Sequence, residues 1–345
     1  MPARSRRTTS VSMKDVAKHA GVSQTTVSFV INSVPDTNIP QETQDRVLAS
    51  VQELGYRPNA LARGLRSQTT HTIGIISDEI ATTPYAGEVI QGAQDVAWSH
   101  EKLILLINTG KDKRMKKAAV NALLERQVDG IIYATMYHRE VSPPDILWEV
   151  PAVLVDCFVA DGSLPSVVPD EFGGGYVATQ RIIQAGHTRI GFINSEVYIP
   201  ASVGREQGYR QALIDNNLPY DPTLVVTQPG HAVGGYAGAM SLLKRPDRPT
   251  AIFCYNDHTA MGVYQAAQDL GFSIPNDLAV VGYDNYVVIA GWMRPPLTTM
   301  ELPHYAMGQW AVEQLMRMVN SPDSAEHAQP IQHKLTCPLI ERASV

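Results

Sequence analysis

The chain has 345 residues, of which 44% are hydrophobic, and a formal net charge of −6; this length predicts two or three domains with buried cores. It has no apolar run of about 18 residues, and no apolar segment follows its basic N-terminus, so we expect neither a membrane span nor a secretory signal. Cys157, Cys254 and Cys337 are widely spaced and are expected to be buried thiols in a reducing cytoplasm rather than disulfides or metal ligands. No metal and no cofactor are predicted.

Charge is divided unevenly along the chain. Residues 1–70 hold nine Lys and Arg against five Asp and Glu, a net charge of +4. Residues 71–345 hold 19 Lys and Arg against 29 Asp and Glu, a net charge of −10. A small basic segment on a larger acidic body is typical of a protein that meets phosphates with one end only.

Two short helices joined by a tight turn are predicted within residues 12–32. Ser12 can cap the first helix, with Asp15 completing a short version of the capping box. Gly21 can adopt the positive φ that ends this helix, and Ser23 can cap the next one. Two amphipathic helices at this spacing predict a helix-turn-helix, although the spacing alone also fits an ordinary helical hairpin.

The segments after residue 32 favour the helix-turn-helix over an ordinary helical hairpin. A third helix is predicted over residues 41–54, and an α/β pattern begins abruptly at residue 72. From about residue 12 to the C-terminus the chain resembles the LacI/GalR family of bacterial transcription regulators, through the segments "MKDVAKHAGVSQTTVSFVIN", "RVLASVQELGYRPNALARGL", "AGHTRIGFI", "FCYND", "VVGYDN" and "RPPLTTM". The resemblance implies an N-terminal all-α helix-turn-helix head followed by an α/β two-lobed periplasmic-binding-protein-like body with parallel sheets.

Strand and helix patterns alternate from residue 72 onward and form two similar series, each of which predicts a parallel sheet flanked by helices. The resemblance implies that the chain crosses back into the first lobe near its C-terminus. The expected division is a flexible tail (1–11), a helix-turn-helix DNA-binding domain (12–57), a hinge helix and linker (58–70), and an effector-binding and dimerisation domain (71–345), with lobe one at about 71–167 and 298–328 and lobe two at about 168–297 and 329–345.

We expect side chains at the start of the second helix to contact the DNA bases. Gln24 can pair bidentately with adenine, and the methyl group of Thr25 can meet that of thymine. Phe29 stands where many relatives carry an arginine, and it can make only apolar contacts, for example with a thymine methyl. The full set of predicted DNA contacts is Gln24, Thr25, Thr26, Ser28, Phe29, Asn32, Asn59 and Leu65.

Leu65 is assigned through the resemblance. Residues 58–65 match the family's hinge helix, which folds on operator DNA and pairs with its dimer mate, because so short a helix is unstable alone in water. Leu65 matches the leucine that the family wedges into a central minor-groove step, where an apolar side chain replaces lost base stacking. The alternative for Leu65 is a simple linker residue.

Effector contacts are expected at the carboxyl ends of strands, where ligands of open α/β sheets bind. Asp156, Asn256 and Asp284 follow predicted strands, and Arg205 lies at the start of a helix. Carboxylates, amides and a guanidinium group suit the hydroxyl pairs of a sugar, polyol or nucleoside. Arg205, Asn256 and Asp284 also match effector contacts of the family. A strand-end Asn or Asp can instead only cap the next helix, and for Asp257 the two interpretations are equally plausible.

Tyr85, after the first strand, and His231, at the equivalent point in lobe two, complete the predicted effector set as candidates to stack on the ligand ring. His231 departs from the aromatic residue of some relatives, and for both positions a surface loop residue is the alternative. A glycine-rich segment at residues 172–176 lacks the lysine of a phosphate loop. No catalytic triad or carboxylate pair is indicated, so an enzyme is not predicted.

The predicted function is that of a sequence-specific DNA-binding transcriptional regulator, a repressor whose operator affinity is controlled by a small-molecule effector, such as a sugar or polyol. The alternative is a solute- or sugar-binding protein of the same body fold without a gene-regulatory role. The expected partners are double-stranded operator DNA, the effector and a second copy in a homodimer. No membrane is involved, and the expected location is the cytoplasm, at the bacterial nucleoid through DNA binding.

Overall fold

A computed structural model describes most of the chain, in two compact units that comprise residues 1–70 and 71–345. The predicted contacts Asn59, Leu65 and Tyr85 lie outside the described residues, as do nearly all of the predicted tail and hinge. The described ranges are 11–32, 34–35, 37–57, 69–80, 87–110, 112–321 and 330–345. Within these ranges, no helix combines the length and the apolar character needed to cross a bilayer.

The first unit contains three helices, α1 (Met13–Ala20), α2 (Gln24–Ile31) and α3 (Gln41–Glu53). The predicted capping box is confirmed, since the Ser12 side chain accepts from the Asp15 backbone N–H and the Asp15 carboxylate accepts from the Ser12 backbone. Gly21 has a φ of 67°, the left-handed conformation that ends α1. The helices enclose a small core of Val16, Ala17, Ala20, Val27 and Val47.

Polar contacts between α1 and α3 also hold this unit together. The His19 Nδ1 atom lies 3.0 Å from the Ser50 hydroxyl oxygen. The Arg46 Nε–H donates to the Ala20 carbonyl oxygen at 2.9 Å, which satisfies one of the unpaired carbonyls at the end of α1. Both contacts join residues more than 25 positions apart, and the sequence pattern gave no indication of them.

Lobe one of the second unit is built on a six-stranded sheet in the order β11-β5-β4-β3-β1-β2, with every recorded pairing parallel. Apolar clusters cover both of its faces, as expected for a parallel sheet. The strands are β1 (Thr72–Ser77), β2 (Leu103–Asn108), β3 (Gly130–Glu140), β4 (Ala152–Phe158), β5 (Ser166–Pro169) and β11 (Gln332–Leu335), and the helices are α4 (Gly87–Ser99), α5 (Lys113–Leu124) and α11 (His304–Asn320), with a 3₁₀ turn at Asp145–Glu149.

Lobe two repeats this architecture with the order β12-β10-β9-β8-β6-β7. Only the two-residue β12 runs antiparallel to its neighbour, and the other recorded pairs are parallel. The strands are β6 (Ile190–Ser195), β7 (Val225–Gln228), β8 (Ala251–Cys254), β9 (Ala279–Asp284), β10 (Thr298–Glu301) and β12 (Leu339–Ile340), and the helices are α6 (Glu171–Gln184), α7 (Pro200–Asp215), α8 (Ala232–Leu243), α9 (Asp257–Asp269) and α10 (Val287–Ala290), with a 3₁₀ turn at Pro222–Leu224.

The structure corrects the predicted points at which the chain crosses between the lobes. Strand β10 was predicted in lobe one but pairs in parallel with β9 of lobe two. Strand β11 was predicted in lobe two but pairs with β5 of lobe one. The crossings therefore lie after β10 and between β11 and β12. Each strand is only four residues long, so its local pattern carries no information about which sheet it joins.

The glycines at residues 173–175 serve close packing. A Cβ atom added at Gly174 would lie 1.9 Å from the Tyr283 hydroxyl oxygen, and one at Gly175 would lie 2.3 Å from the Arg205 carbonyl oxygen. No side chain can be accommodated at such distances without a shift of the neighbours. The segment therefore allows α6 to approach both α7 and the sheet.

Candidate DNA-binding helix and effector cleft

The start of α2 presents the two side chains that were predicted to read bases. Gln24 and Thr25 are both exposed. Thr26 instead belongs to the helix cap, because its backbone N–H donates to the Ser23 hydroxyl at 3.0 Å and the two hydroxyls lie 2.9 Å apart. The cap fixes the backbone at the start of α2, from which Gln24 and Thr25 project.

The other described contacts lie further along α2 and at its C-terminal cap. Ser28 and Phe29 are half-buried, and Asn32 caps the end of the helix by donating from Nδ2 to the Ser28 carbonyl oxygen at 2.7 Å. Phe29 exposes part of its ring and has no polar atom on its side chain, so it offers a surface only for apolar contact. The described members of the predicted set therefore divide into three exposed residues, Gln24, Thr25 and Asn32, and three half-buried ones, Thr26, Ser28 and Phe29.

A cavity of about 290 Å³ lies at the carboxyl ends of β3, β4, β6, β8 and β9, and both lobes line it. Strands of one parallel sheet all end at the same edge, which is why residues far apart in sequence meet here. The lining residues are Met136, Tyr137, His138 and Asp156 from lobe one, Leu302 at a crossing segment, and Glu171, Ser195, Val197, Ile199, Ala201, Arg205, Gly230, Tyr255, Asn256 and Asp284 from lobe two.

Arg205 is held rigidly in the wall of this cavity and is only 3% exposed. Its Nε–H donates to Glu171 Oε2 at 2.7 Å and its Nη1–H donates to the Tyr255 carbonyl oxygen at 2.5 Å. Asp284 Oδ1 lies 3.7 Å from Nη1, and the guanidinium carbon lies 3.6 Å from the centre of the Tyr283 ring. A buried cation requires such compensation, because desolvation otherwise outweighs its interactions.

The two aspartates of the cavity are also unusual. Asp284 has a φ of 103° and Asp156 a φ of 56°, both in the left-handed region, where strain is common at functional sites. Burial raises the pKa of Asp284 to about 7, although Arg205 acts in the opposite direction. Burial, with a further contribution from Glu171, raises the pKa of Asp156 well above its usual range. Asp156 Oδ1 is buried without a hydrogen-bond partner.

The sequence did not predict His138, Glu171 and Tyr255 as cavity residues. Burial lowers the pKa of His138 to about 4, which keeps the ring neutral at physiological pH, and its Nδ1 atom is buried without a partner. His138 lies in the last part of β3, which continues through a register shift to Glu140, and no strand-end pattern in the sequence marks it. Tyr255 and Glu171 could have been found, since they flank predicted strand and helix ends.

Two predicted effector residues have structural roles. The Asn256 side chain caps α9 by accepting from the Thr259 backbone N–H at 2.8 Å, and its Nδ2 donates to the Gly230 carbonyl oxygen. Asn256 lines the cavity, but its amide is already engaged. His231 caps α8, where Nδ1 accepts from the Gly234 N–H at 3.3 Å, and it is not among the cavity-lining residues. The structure thus brings together Asp156, Arg205, Asn256 and Asp284, but not His231.

Asp257 is buried beside the cavity and is fully engaged. Its Oδ2 accepts from the Tyr286 backbone N–H at 2.7 Å, and its Oδ1 accepts from the Thr299 hydroxyl at 2.6 Å. Asp257 therefore joins the start of α9 to β10 and to the segment after β9. Its role is structural, although the cap of α9 that was the alternative for Asp257 is provided by Asn256.

Comparison with known proteins identifies both units. Residues 12–59 match the bacterial regulatory proteins of the lacI family, and residues 70–343 match the periplasmic binding proteins and sugar binding domain of the LacI family. The chain belongs to the LacI family. It is 33% identical over 329 residues to the ribose operon repressor of Haemophilus influenzae, an alignment that covers 95% of this chain and 97% of that protein.

Solved structures of the family share the architecture. The transcriptional regulator CelR in complex with cellobiose is 28% identical, covers 97% of this chain and 100% of its own, and superposes with a TM-score of 0.66. The Lac repressor dimer bound to operator and the anti-inducer ONPF is 24% identical, with coverage of 97% and 99% and a TM-score of 0.81, which supports the fold. This LacI-family chain is a DNA-binding transcriptional regulator, as predicted, and the predicted fold class is confirmed.

Proposed function

We propose that this LacI-family regulator is a homodimeric repressor whose affinity for operator DNA is controlled by a small sugar or polyol bound between the two lobes. The observation that carries the proposal is the cavity whose walls combine Asp156 and His138 of lobe one with Arg205 and Asp284 of lobe two. A ligand that contacts both lobes binds best at one relative orientation of them, so its binding energy shifts the population toward that orientation.

The relatives support a sugar as the ligand class. The Haemophilus influenzae relative is named for the ribose operon, and CelR was solved with cellobiose. In this chain the cavity offers carboxyl and imidazole groups with unused hydrogen-bonding capacity, which match hydroxyl groups. The cleft acts here as a binding site without catalysis, and the protein acts in the cytoplasm, at the DNA.

Dimer formation is supported by an exposed apolar edge. Strand β2 is the end strand of the lobe-one sheet, and Leu103, Leu105 and Leu106 are 58%, 39% and 36% exposed along it. An edge strand with exposed leucines is an aggregation hazard unless another surface covers it, and a second copy of the chain is the proposed occupant, since the Lac repressor was solved as a dimer. Sedimentation of the full-length chain as a dimer supports this part of the proposal, and a monomer that binds a half-site with full affinity contradicts it.

The proposed domains are those predicted from the sequence. They are the DNA-binding domain (residues 12–57), the hinge and linker (58–70), and the effector-binding and dimerisation domain (71–345). Gln24 and Thr25 read bases, and Asn59 and Leu65 act in the hinge. Gel-shift titration of the full-length dimer with its operator, with and without a panel of sugars, tests the coupling. A sugar that changes operator affinity supports it, whereas a chain that binds sugar but no DNA would instead be a solute-binding protein.

Phe29 provides a sharp test of base reading. Because its side chain can make only apolar contact, Phe29→Arg should shift preference toward guanine at one symmetric pair of operator positions, by about 1–3 kcal/mol in discrimination. Binding-site selection on the wild type and the variant measures this change. Gln41→Arg, which adds the same charge at the exposed start of α3, should strengthen binding without altering base preference. An unchanged preference in the Phe29 variant would refute the assignment.

A further inference from the structure

The cavity contains more acidic than basic groups. Asp156, Glu171 and Asp284 contribute three carboxyl groups to its lining. Among the described lining residues, Arg205 is the only side chain with a permanent positive charge, and His138 is neutral at physiological pH because burial lowers its pKa to about 4. An anionic ligand therefore finds no second cation in the described part of the wall.

The positive charge of Arg205 is already balanced by neighbouring carboxyl groups. Arg205 forms a 2.7 Å hydrogen bond with Glu171, lies 3.7 Å from Asp284, and donates a further hydrogen bond to a backbone carbonyl oxygen. A phosphate or carboxylate group moved from water into this cavity would lose its hydration without gaining an unpaired cation. Burying an ion without such a partner is far more costly than burying hydroxyl groups that find acceptors.

The remaining lining favours an uncharged ring. Tyr137, Val197, Ile199 and Leu302 present apolar surface to the cavity, which suits the C–H face of a sugar. Asp156 Oδ1 and His138 Nδ1 are buried without partners, so a shift of the cavity wall on ligand binding can pair them with hydroxyl groups without breaking an existing hydrogen bond. At about 30 Å³ per water, the cavity of about 290 Å³ holds roughly ten waters, the space of one sugar ring.

We propose that this cleft is selective for an uncharged single-ring sugar and rejects the phosphorylated or carboxylated form of the same ring. The inference rests on the proposed function for the location of the effector. It goes further by stating which chemical forms of a sugar the regulator senses. A regulator with this selectivity responds to the sugar before its phosphorylation, so a kinase reaction that consumes the sugar removes the signal.

The test uses the full-length protein and matched sets of ligands. Thermal-shift and calorimetric titrations compare D-ribose with D-ribose 5-phosphate, and D-glucose and D-galactose with their 6-phosphates and uronic acids. We expect at least one uncharged parent to stabilise the protein and to bind at least about tenfold more tightly than its anionic forms. Tighter binding of an anionic form, or no stabilisation by any uncharged member, would overturn the proposal.

A variant tests the physical cause. Glu171→Gln removes the carboxylate that compensates Arg205, so a phosphorylated ring should gain affinity relative to its parent by about tenfold compared with the wild type. Glu196→Gln makes the same change at an exposed position beside the cleft and should leave the selectivity unchanged. If the Glu171 variant folds and its selectivity equals that of the wild type, charge compensation at Arg205 is not the cause.

Operator binding separates this inference from the proposed function. If an uncharged sugar binds but operator affinity in gel shifts does not respond, the selectivity stands and the regulatory role of the cleft is wrong. If only a sugar phosphate binds and changes operator affinity, the regulatory role stands and the selectivity is wrong.

Discussion

The two lobes share one architecture but differ in how completely their strand ends are hydrogen-bonded. In lobe two, both carboxylate oxygens of Asp257 and the Nε and Nη1 atoms of Arg205 are hydrogen-bonded to neighbouring groups. Among the described residues, four buried side-chain atoms of lobe one have no partner, on Asn108, His138, Arg139 and Asp156, against one in lobe two, the Tyr283 hydroxyl oxygen. Buried polar groups are normally satisfied, so lobe two presents a preorganised wall and lobe one presents groups that a ligand can complete.

This difference predicts that the two lobes contribute to ligand binding in different ways. A preorganised wall reduces the entropy lost on binding, because its side chains are already fixed. The unsatisfied groups of lobe one gain partners only when a ligand bridges the lobes, so the energy of closure comes mainly from that side. Substitutions in lobe two should therefore act mainly on stability, and substitutions in lobe one mainly on ligand affinity.

The largest expected effect is that of Arg205→Ala. Removing one partner of a buried ion pair leaves Glu171 uncompensated in the wall, which costs about 3–5 kcal/mol in the free energy of unfolding. Chemical denaturation of the isolated body (residues 71–345) measures the loss, with retained secondary structure checked by circular dichroism. Arg317→Ala, at an exposed ion pair with Glu313, is the matched control and should change stability little.

The expected loss of stability means that Arg205→Ala does not test effector binding alone. From its position in the sequence, an alanine at residue 205 would have been a clean test of effector binding. In the structure Arg205 joins Glu171 and the backbone of Tyr255, so its loss weakens the lobe as well as the site. A variant of normal stability would show that lobe two does not depend on this preorganised group.

How far the sequence predicts the molecule depends on the range of the interactions. Ser12, Gly21 and Ser23 act on residues at most a few positions away, and their roles were predictable from local pattern. Strand ends were predictable as a class, which located Asp156 and Asp284. The partner of Arg205 is Glu171, 34 positions away, and the sheet that β11 joins depends on a strand more than 160 positions away. Such pairings follow only from the folded chain.

A second, smaller effect should appear in the pH dependence of stability. The pKa of Asp284 is raised from 3.8 to about 7 in the folded protein. Between these values the folded state holds a proton that the unfolded state has released, so this residue stabilises the fold at low pH and the contribution is lost as pH rises toward 7. The stability of the wild type relative to Asp284→Asn should therefore fall from pH 5 to pH 8, by roughly 1.4 kcal/mol per pH unit at most.

Denaturation of both proteins at several pH values measures this slope. The difference between the two proteins isolates Asp284, because His138 and His304, whose pKa values burial lowers to about 4, contribute equally to both. Asp247→Asn is the control, since hydrogen bonding with Arg245 lowers the pKa of that exposed carboxyl and predicts no slope in this window. A wild-type advantage that grew with pH would mean that Asp284 is ionised in the fold.

The smallest effect on stability, and the clearest on binding, is expected for Asp156→Asn. The Oδ1 atom of Asp156 has no partner to lose, and burial already favours the neutral form of this carboxyl group. An asparagine of the same shape should therefore change the free energy of unfolding by no more than about 0.5 kcal/mol. It cannot accept hydroxyl hydrogens at both terminal atoms, so affinity for the sugar should fall by about tenfold, or about 1.4 kcal/mol.

Asp161→Asn, an exposed substitution in the same lobe, should alter neither quantity. If Asp156→Asn instead destabilised lobe one as strongly as Arg205→Ala destabilises lobe two, its carboxyl group would be structural, and the contrast between the lobes would be wrong.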